Sequence, residues 1–176
     1  TLNNVIVAGN FVDGTTTAHD VAGNVNTANN NLIGDAGSAG GIAHGANGNV
    51  VGNNGSGILD INTVLNTNLA DNGGTTLTHA LVLGSRAIDA GNNALADDAD
   101  GVALVLDQRE AGFPRLQNGT VDIGAVENQS FPVLTITTNQ LSLSEGNTGT
   151  VNATFTVNRS GNLSGVSILA DERTTS

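Results

Sequence analysis

The sequence predicts an all-β fold in which short strands stack in parallel to form a column, followed by a second strand module. Three observations predict it. Residues 1–65 repeat short β-branched runs between clusters of Gly, Asn and Asp. Aromatic residues make up 2% of the chain and Cys, Met, Trp and Tyr are absent, while Gly reaches 24, so Val, Ile, Leu and Ala must fill a narrow, repetitive interior. After Phe131-Pro132 apolar and polar residues alternate strictly, the pattern of strands that bury one face.

Taken in order, the runs are NVIVAGN (4–10), DVAGNV (20–25), NNLIGD (30–35), NVVGN (49–53) and GILDI (57–61). They are too short and too often broken by Gly for helices, and turn residues separate them as strands require. A sandwich would use them as hairpins, whereas a β-helix would use three per coil. NVIVAGN and NNLIGD lie about one β-helix coil apart and share an Asn, apolar pair, Gly order, which favours the coil. Stacked coils place like residues above one another, so Asn can form amide ladders at turns while Val, Ile and Leu stack inside. Residues 69–127 are less regular, with DNGG at 71–74 and a long loop at 91–101, and they are placed to cap the open end of such a column. Leu134, Ile136, Leu141, Leu143, Val151, Phe155 and Val157 then carry the alternation of the second module. The expected boundaries are 1–127, a linker at 128–132, and 133–176.

A formal charge of −11, with five Arg and no Lys, argues against a nucleic-acid partner, which needs clustered cations. The same acidity suits an exported protein and divalent-cation binding. No run approaches the roughly 20 apolar residues of a membrane helix. Without Cys, no disulfide staples the fold, and the redox compartment stays open. Thr1 is neither an initiator Met nor part of a signal peptide, so the chain is expected to be a piece of a longer precursor.

Two resemblances add to this reading. The early runs, together with DNGGTTLTHAL, GSRAIDAG, DQR, GFPR and VDIGAVE, resemble in order the choice-of-anchor Q domain of large bacterial surface proteins, over roughly residues 4–127. That resemblance implies the C-terminal coils and cap of a right-handed parallel β-helix, at the cell surface or outside the cell. Arg86 stands where the family often has Pro, and Glu110 follows DQR where Gly is usual. From Val133 onward, the Glu145-Gly146-Asn147 turn and TFTVNRSG (154–161) resemble the start of a Calx-β module, an Ig-like sandwich that often binds calcium. About half of such a module is present, so the resemblance implies a partial sandwich with an open edge.

The most ligand-like stretch is DDADGVALVLD (97–107). With Gly101 at the turn position of a twelve-residue calcium loop, Asp98, Asp100 and Asp107 occupy ligand positions, but Ala96 stands where the first carboxylate is needed. These three are the candidate metal ligands of a loop of another shape, and calcium is the candidate cofactor; the competing reading is a solvated acidic loop. Glu145 matches the position where the Calx-β resemblance implies a calcium-ligating Glu. Asp89, Asp107, Asp122 and Glu127 recur at turns beside Arg109 and Arg115. Paired carboxylates suit a polysaccharide lyase or hydrolase, but no Lys is available and aromatic platforms for sugars are scarce. The favoured reading is that these Asp side chains cap turns and pair with Arg. His19, His44 and His79 lack metal-ligand spacing, and no nucleophile elbow or nucleotide-binding glycine pattern occurs.

The function expected from the sequence is therefore a non-enzymatic structural or adhesive segment of a bacterial surface or secreted protein. An open coil and an incomplete sheet would let copies join head to tail into a filament by strand addition, with surface polysaccharide as a further candidate partner. The alternatives are a carbohydrate-active β-helix enzyme and a calcium-dependent binding module.

Overall fold

Consecutive pairs of aliphatic residues, each followed by Ala or Gly, set the architecture: Ile6-Val7, Leu32-Ile33 and Val50-Val51. A computed structural model describes residues 1–129, and the backbone of residues 133–138 and 155–160. Seven strands are present among these residues: β1 (Leu2–Asn3), β2 (Ile6–Val7), β3 (Ala28–Asn29), β4 (Leu32–Ile33), β5 (Val50–Val51), β6 (Val133–Thr138) and β7 (Phe155–Ser160). Among the described residues helical structure is confined to three-residue 3-10 turns such as Ala36–Ser38 and Asn93–Leu95, a low helix content that fits an all-β fold. The chain divides into two compact units, Thr1–Gln129 and Ser130–Ser176. In the second, β6 pairs antiparallel with β7, Val133 facing Ser160 and Thr138 facing Phe155.

In the first unit the small sheets are parallel. β1 pairs with β3, and β2, β4 and β5 form a three-stranded sheet in that order; no closed barrel is present among the described residues. Ile6 faces Leu32 and Leu32 faces Val50, so NVIVAGN, NNLIGD and NVVGN lie side by side. A parallel bridge between Val21 and Ala39 continues the same order. The first repeat is longer than the second because it holds a hairpin, closed by the Phe11–Ala18 bridge and by Asp20 Oδ1 accepting from the Asn10 N–H.

Equivalent corners use equivalent backbone. Asn4 and Asn30 adopt φ of 54° and 50°, and Gly48, at the matching place before β5, adopts 73°. Asn tolerates this left-handed conformation better than other side chains and Gly has no Cβ to clash. Beside the corner, two buried amides stack. Asn31 Oδ1 accepts from the Val5 N–H, and its Nδ2 donates to the Leu2 carbonyl and to Asn49 Oδ1. Asn49 Nδ2 in turn donates to the Ala28 and Ala46 carbonyls. Asn31→Leu leaves the Val5 N–H and the Leu2 carbonyl without this partner, and each orphaned buried group costs ~1–3 kcal/mol. A loss of about 2 kcal/mol is expected, read as a lower urea midpoint with unchanged slope.

Because two consecutive positions are apolar in each strand, both faces of the β2–β4–β5 sheet demand burial. Val7, Ile33 and Val51 point into one cluster with Ala28, Ala39 and Ile42. Ile6, Leu32 and Val50 point into a second, and what covers them comes from later in the chain: Val64, Ala87 and Ile123. Ala87 and Ile123, from the region expected to seal the end of a column, thus lie against a sheet face. The corner asparagines fix it there. Asn4 and Asn92 exchange bonds, Asn4 Oδ1 accepting from the Asn92 N–H at 2.8 Å and Asn4 Nδ2 donating to the Asn92 carbonyl at 3.0 Å. Asn30 Nδ2 donates to the Ala90 carbonyl, and the Gly124 N–H reaches the Asn4 carbonyl.

Candidate functional site

Five charged side chains are buried at the C-terminal end of the first unit: Asp107, Arg109, Arg115, Asp122 and Glu127. Asp107 begins the group locally. Its Oδ1 accepts the backbone N–H of Arg109, an i to i+2 turn closure typical of Asp, and its carboxylate then receives the Arg109 guanidinium, with Nη2 to Oδ2 at 2.5 Å. Asp107 Oδ2 also accepts the Glu127 N–H, and Arg109 Nη2 donates to the Glu127 carbonyl. The guanidinium lies over the Phe113 ring, 4.1 Å from its centre. The DNGG turn makes this approach feasible: a Cβ on Gly74 (φ 86°) would sit 2.3 Å from the Arg109 carbonyl oxygen.

The other half is non-local. Arg115 Nη1 donates to Glu127 Oε1, and Arg115 Nη2 to the Asp122 carbonyl. Glu127 also accepts the Asp122 N–H, while the Asp122 carboxylate accepts the N–H groups of Asp89 and Asn128. Three carboxylates against two guanidiniums leave one surplus negative charge in a dry cluster. Burial, reinforced by Asp122, pushes the Glu127 carboxyl up to about 7 against the opposing pull of the Asp122 N–H and Arg115. Burial likewise raises Asp122 above the ordinary carboxylate range, with hydrogen bonds from Asp89 and Asn128 working the other way.

Of the residues proposed from sequence as metal ligands, Asp98, Asp100 and Asp107 are not gathered into one site. Asp98 Oδ1 accepts the N–H groups of Asp100 and Val102 and so closes its own loop. Asp100 is exposed, and Asp107 is committed to Arg109 and Glu127. Among the described residues no group of three or more His, Cys, Asp or Glu side chains is placed to hold a metal ion. Glu145 lies outside the described residues. His79 Nδ1 lies 2.8 Å from the Asn66 carbonyl.

Glu110 has a φ of 70°, a left-handed conformation costing a non-glycine residue about 1–2 kcal/mol. Its N–H bonds the Asp107 carbonyl and closes the turn that presents Arg109. Glu110→Gly is therefore expected to stabilise the unit by about 0.5–1 kcal/mol after the entropy of a freer unfolded chain is deducted. A higher thermal midpoint would show it; an unchanged or lower one would mean that the backbone bears no strain here.

Beside the charged cluster runs a cleft of about 590 Å³ lined mainly by apolar side chains, among them Ile6, Leu81, Leu95, Leu104, Leu106 and Ile123. Asp97 and His79 also line it, as do Asp107 and Arg115, whose charged groups are already paired. No helix among the described residues is long and apolar enough to cross a membrane.

No protein-family model, curated protein or solved structure matches the chain.

Proposed function

We propose that this chain is a non-enzymatic structural or adhesive segment of a bacterial surface or secreted protein, built from the last coils of a right-handed parallel β-helix and a choice-of-anchor Q-like ending, with a partial Calx-β-like module after it. The observation that carries the reading is the repeated parallel register of β2, β4 and β5 with matched corners at Asn4, Asn30 and Gly48. Repetition of one short structural unit is how solenoids build long, stiff, displayed surfaces. The buried charges support a structural role: Asp107, Asp122 and Glu127 use their oxygens on Arg side chains and backbone N–H groups, which leaves little to offer a substrate.

Antibodies against the segment, applied to intact cells that make the complete protein, test location; the expected result is labelling without lysis. Labelling only after lysis overturns the surface reading. Deleting the segment from the protein is expected to lower cell attachment, without any change in polysaccharide cleavage by the culture. For calcium, the direct measure is thermal unfolding with added Ca²⁺, since a ligand of the native state raises the midpoint.

A further inference from the structure

The chain leaves the first unit at Gln129 and runs on to Ser176. Backbone at the end of a unit ordinarily frays, because little holds it. Residues 121–129 lie in no strand, yet side chains hold them firmly. Every polar group of Glu127 is engaged. Its N–H donates to Asp107 Oδ2 at 2.9 Å, its carbonyl accepts from Arg109 Nη2 at 2.6 Å, and its carboxylate accepts from Arg115 Nη1 and the Asp122 N–H. One residue on, the Asn128 N–H donates to Asp122 Oδ2 at 2.5 Å, and Gln117 Nε2 donates to Gln129 Oε1 at 3.0 Å.

The groups that grip this segment are themselves fixed. Asp107 is paired with Arg109, whose Nη1 reaches the Asn72 carbonyl at 3.4 Å, and Asp122 Oδ1 accepts the Asp89 N–H at 2.7 Å. The Ile123 N–H bonds the Ala87 carbonyl at 2.8 Å, and both residues are buried in the second apolar cluster. Tension reaching Glu127 is thus shared among segments at Asn72, Asp89 and Asp107. A ladder peeled from one end loses its bonds in turn, whereas bonds gathered on one residue must break together. Bonds to ionised groups are about twice as strong as neutral ones. Glu127 and Asp122 are each 1% exposed, so water cannot take over a bond as it lengthens.

We propose that the buried charges form a clasp on the outgoing chain, so that under a pull from beyond Gln129 the exit at Glu127 and Asn128 yields only when the whole first unit unfolds. The use of such a clasp rests on the structural or adhesive reading, in which the segment transmits force along its chain. The clasp itself belongs to this unit alone, and labelling of intact cells tests the broader reading separately.

The full chain has no Cys, so Ala43→Cys and Ser130→Cys supply unique handles for optical tweezers, with the second unit outside the path of the load. The first unit is expected to open in a single step. Arg109→Met is expected to add an earlier step of at most about 30 Å, the extended length of residues 121–129. It should also shorten the lifetime of the exit at constant force by about tenfold or more. Val64→Ala, in the second apolar cluster and outside the clasp, should lower the opening force without that early step. If Arg109→Met does not fold, hydrogen exchange on the unaltered chain decides, with the Glu127 and Asn128 amides expected to exchange as slowly as that of Leu32, through global unfolding. Exchange at residues 127 and 128 more than about tenfold faster than at Leu32 overturns the proposal. So does an early step in the otherwise unaltered chain that persists when the first handle is moved to Ala94, or an equal early step in Val64→Ala. A slipping exit in a protein that labels on intact cells overturns the clasp and leaves the surface reading standing.

Discussion

Arg115→Met is expected to destabilise the first unit by about 3–5 kcal/mol at pH 8, the usual cost of removing one partner of a buried ion pair. Arg115 is 5% exposed and Glu127 1%, so water cannot replace the lost guanidinium. The variant orphans Glu127 and removes a donor from the Asp122 carbonyl. Adding Glu127→Leu removes the stranded charge, and the double variant should recover a substantial part of the loss, as apolar replacements of buried pairs often do. It will not recover all of it, because the Asp122 N–H also bonds Glu127. The non-additivity in a double-mutant cycle of urea midpoints is the measurement. Two single losses that simply add would mean that Arg115 acts through packing and not through Glu127. The penalty should also shrink at pH 5, where Glu127 can take a proton and cease to be an unpaired anion.

The parts of this molecule that sequence revealed are those encoded within a few residues. Asn before an aliphatic pair announces a left-handed corner and a strand, and NVIVAGN and NNLIGD do pair in parallel. DQR contains a local Asp–Arg closure, and DNGG contains the positive-φ glycines that let Arg109 come close. Glu110, at a place where the resemblance has Gly, has the positive φ that the substitution would suggest. What sequence left hidden depends on long-range pairing. Counting loop positions grouped Asp107 with Asp98 and Asp100, yet an Arg two residues on competes for the same carboxylate and wins by a charged, multiply bonded contact. The available signal was the Asp-x-Arg spacing itself. The partnership of Arg115 with Glu127 had no such local mark. Nor did the covering of the second sheet face, although Ile6-Val7, Leu32-Ile33 and Val50-Val51 each break the one-sided alternation that an exposed face would show.

Stability should fall as the pH rises from about 4.5 to about 7, opposite to the trend of a protein held by ionised carboxylates. Glu127 titrates near 7 in the folded chain against 4.5 as its ordinary value. Between those limits the native state holds a proton that the unfolded chain has released, so the derivative of unfolding free energy with pH is negative. The contribution is complete below about 4.5 and is lost as pH passes 7. A shift of that size corresponds to roughly 3 kcal/mol at about 1.4 kcal/mol per unit. Asp122 is displaced in the same direction and steepens the trend. Its main cause is burial of the carboxyls, reinforced by the surplus negative charge of the cluster: one proton brings three carboxylates and two guanidiniums to neutrality without breaking the Arg115 or Arg109 contacts. Glu127→Gln imitates the protonated form, keeps an oxygen for Arg115, and should flatten the pH profile while leaving stability at pH 5 within about 1 kcal/mol. Urea unfolding at several pH values for both proteins decides it. A wild-type profile that rises between pH 5 and 7 would show that Glu127 is held ionised by Arg115, with the pair worth more than the burial that opposes it.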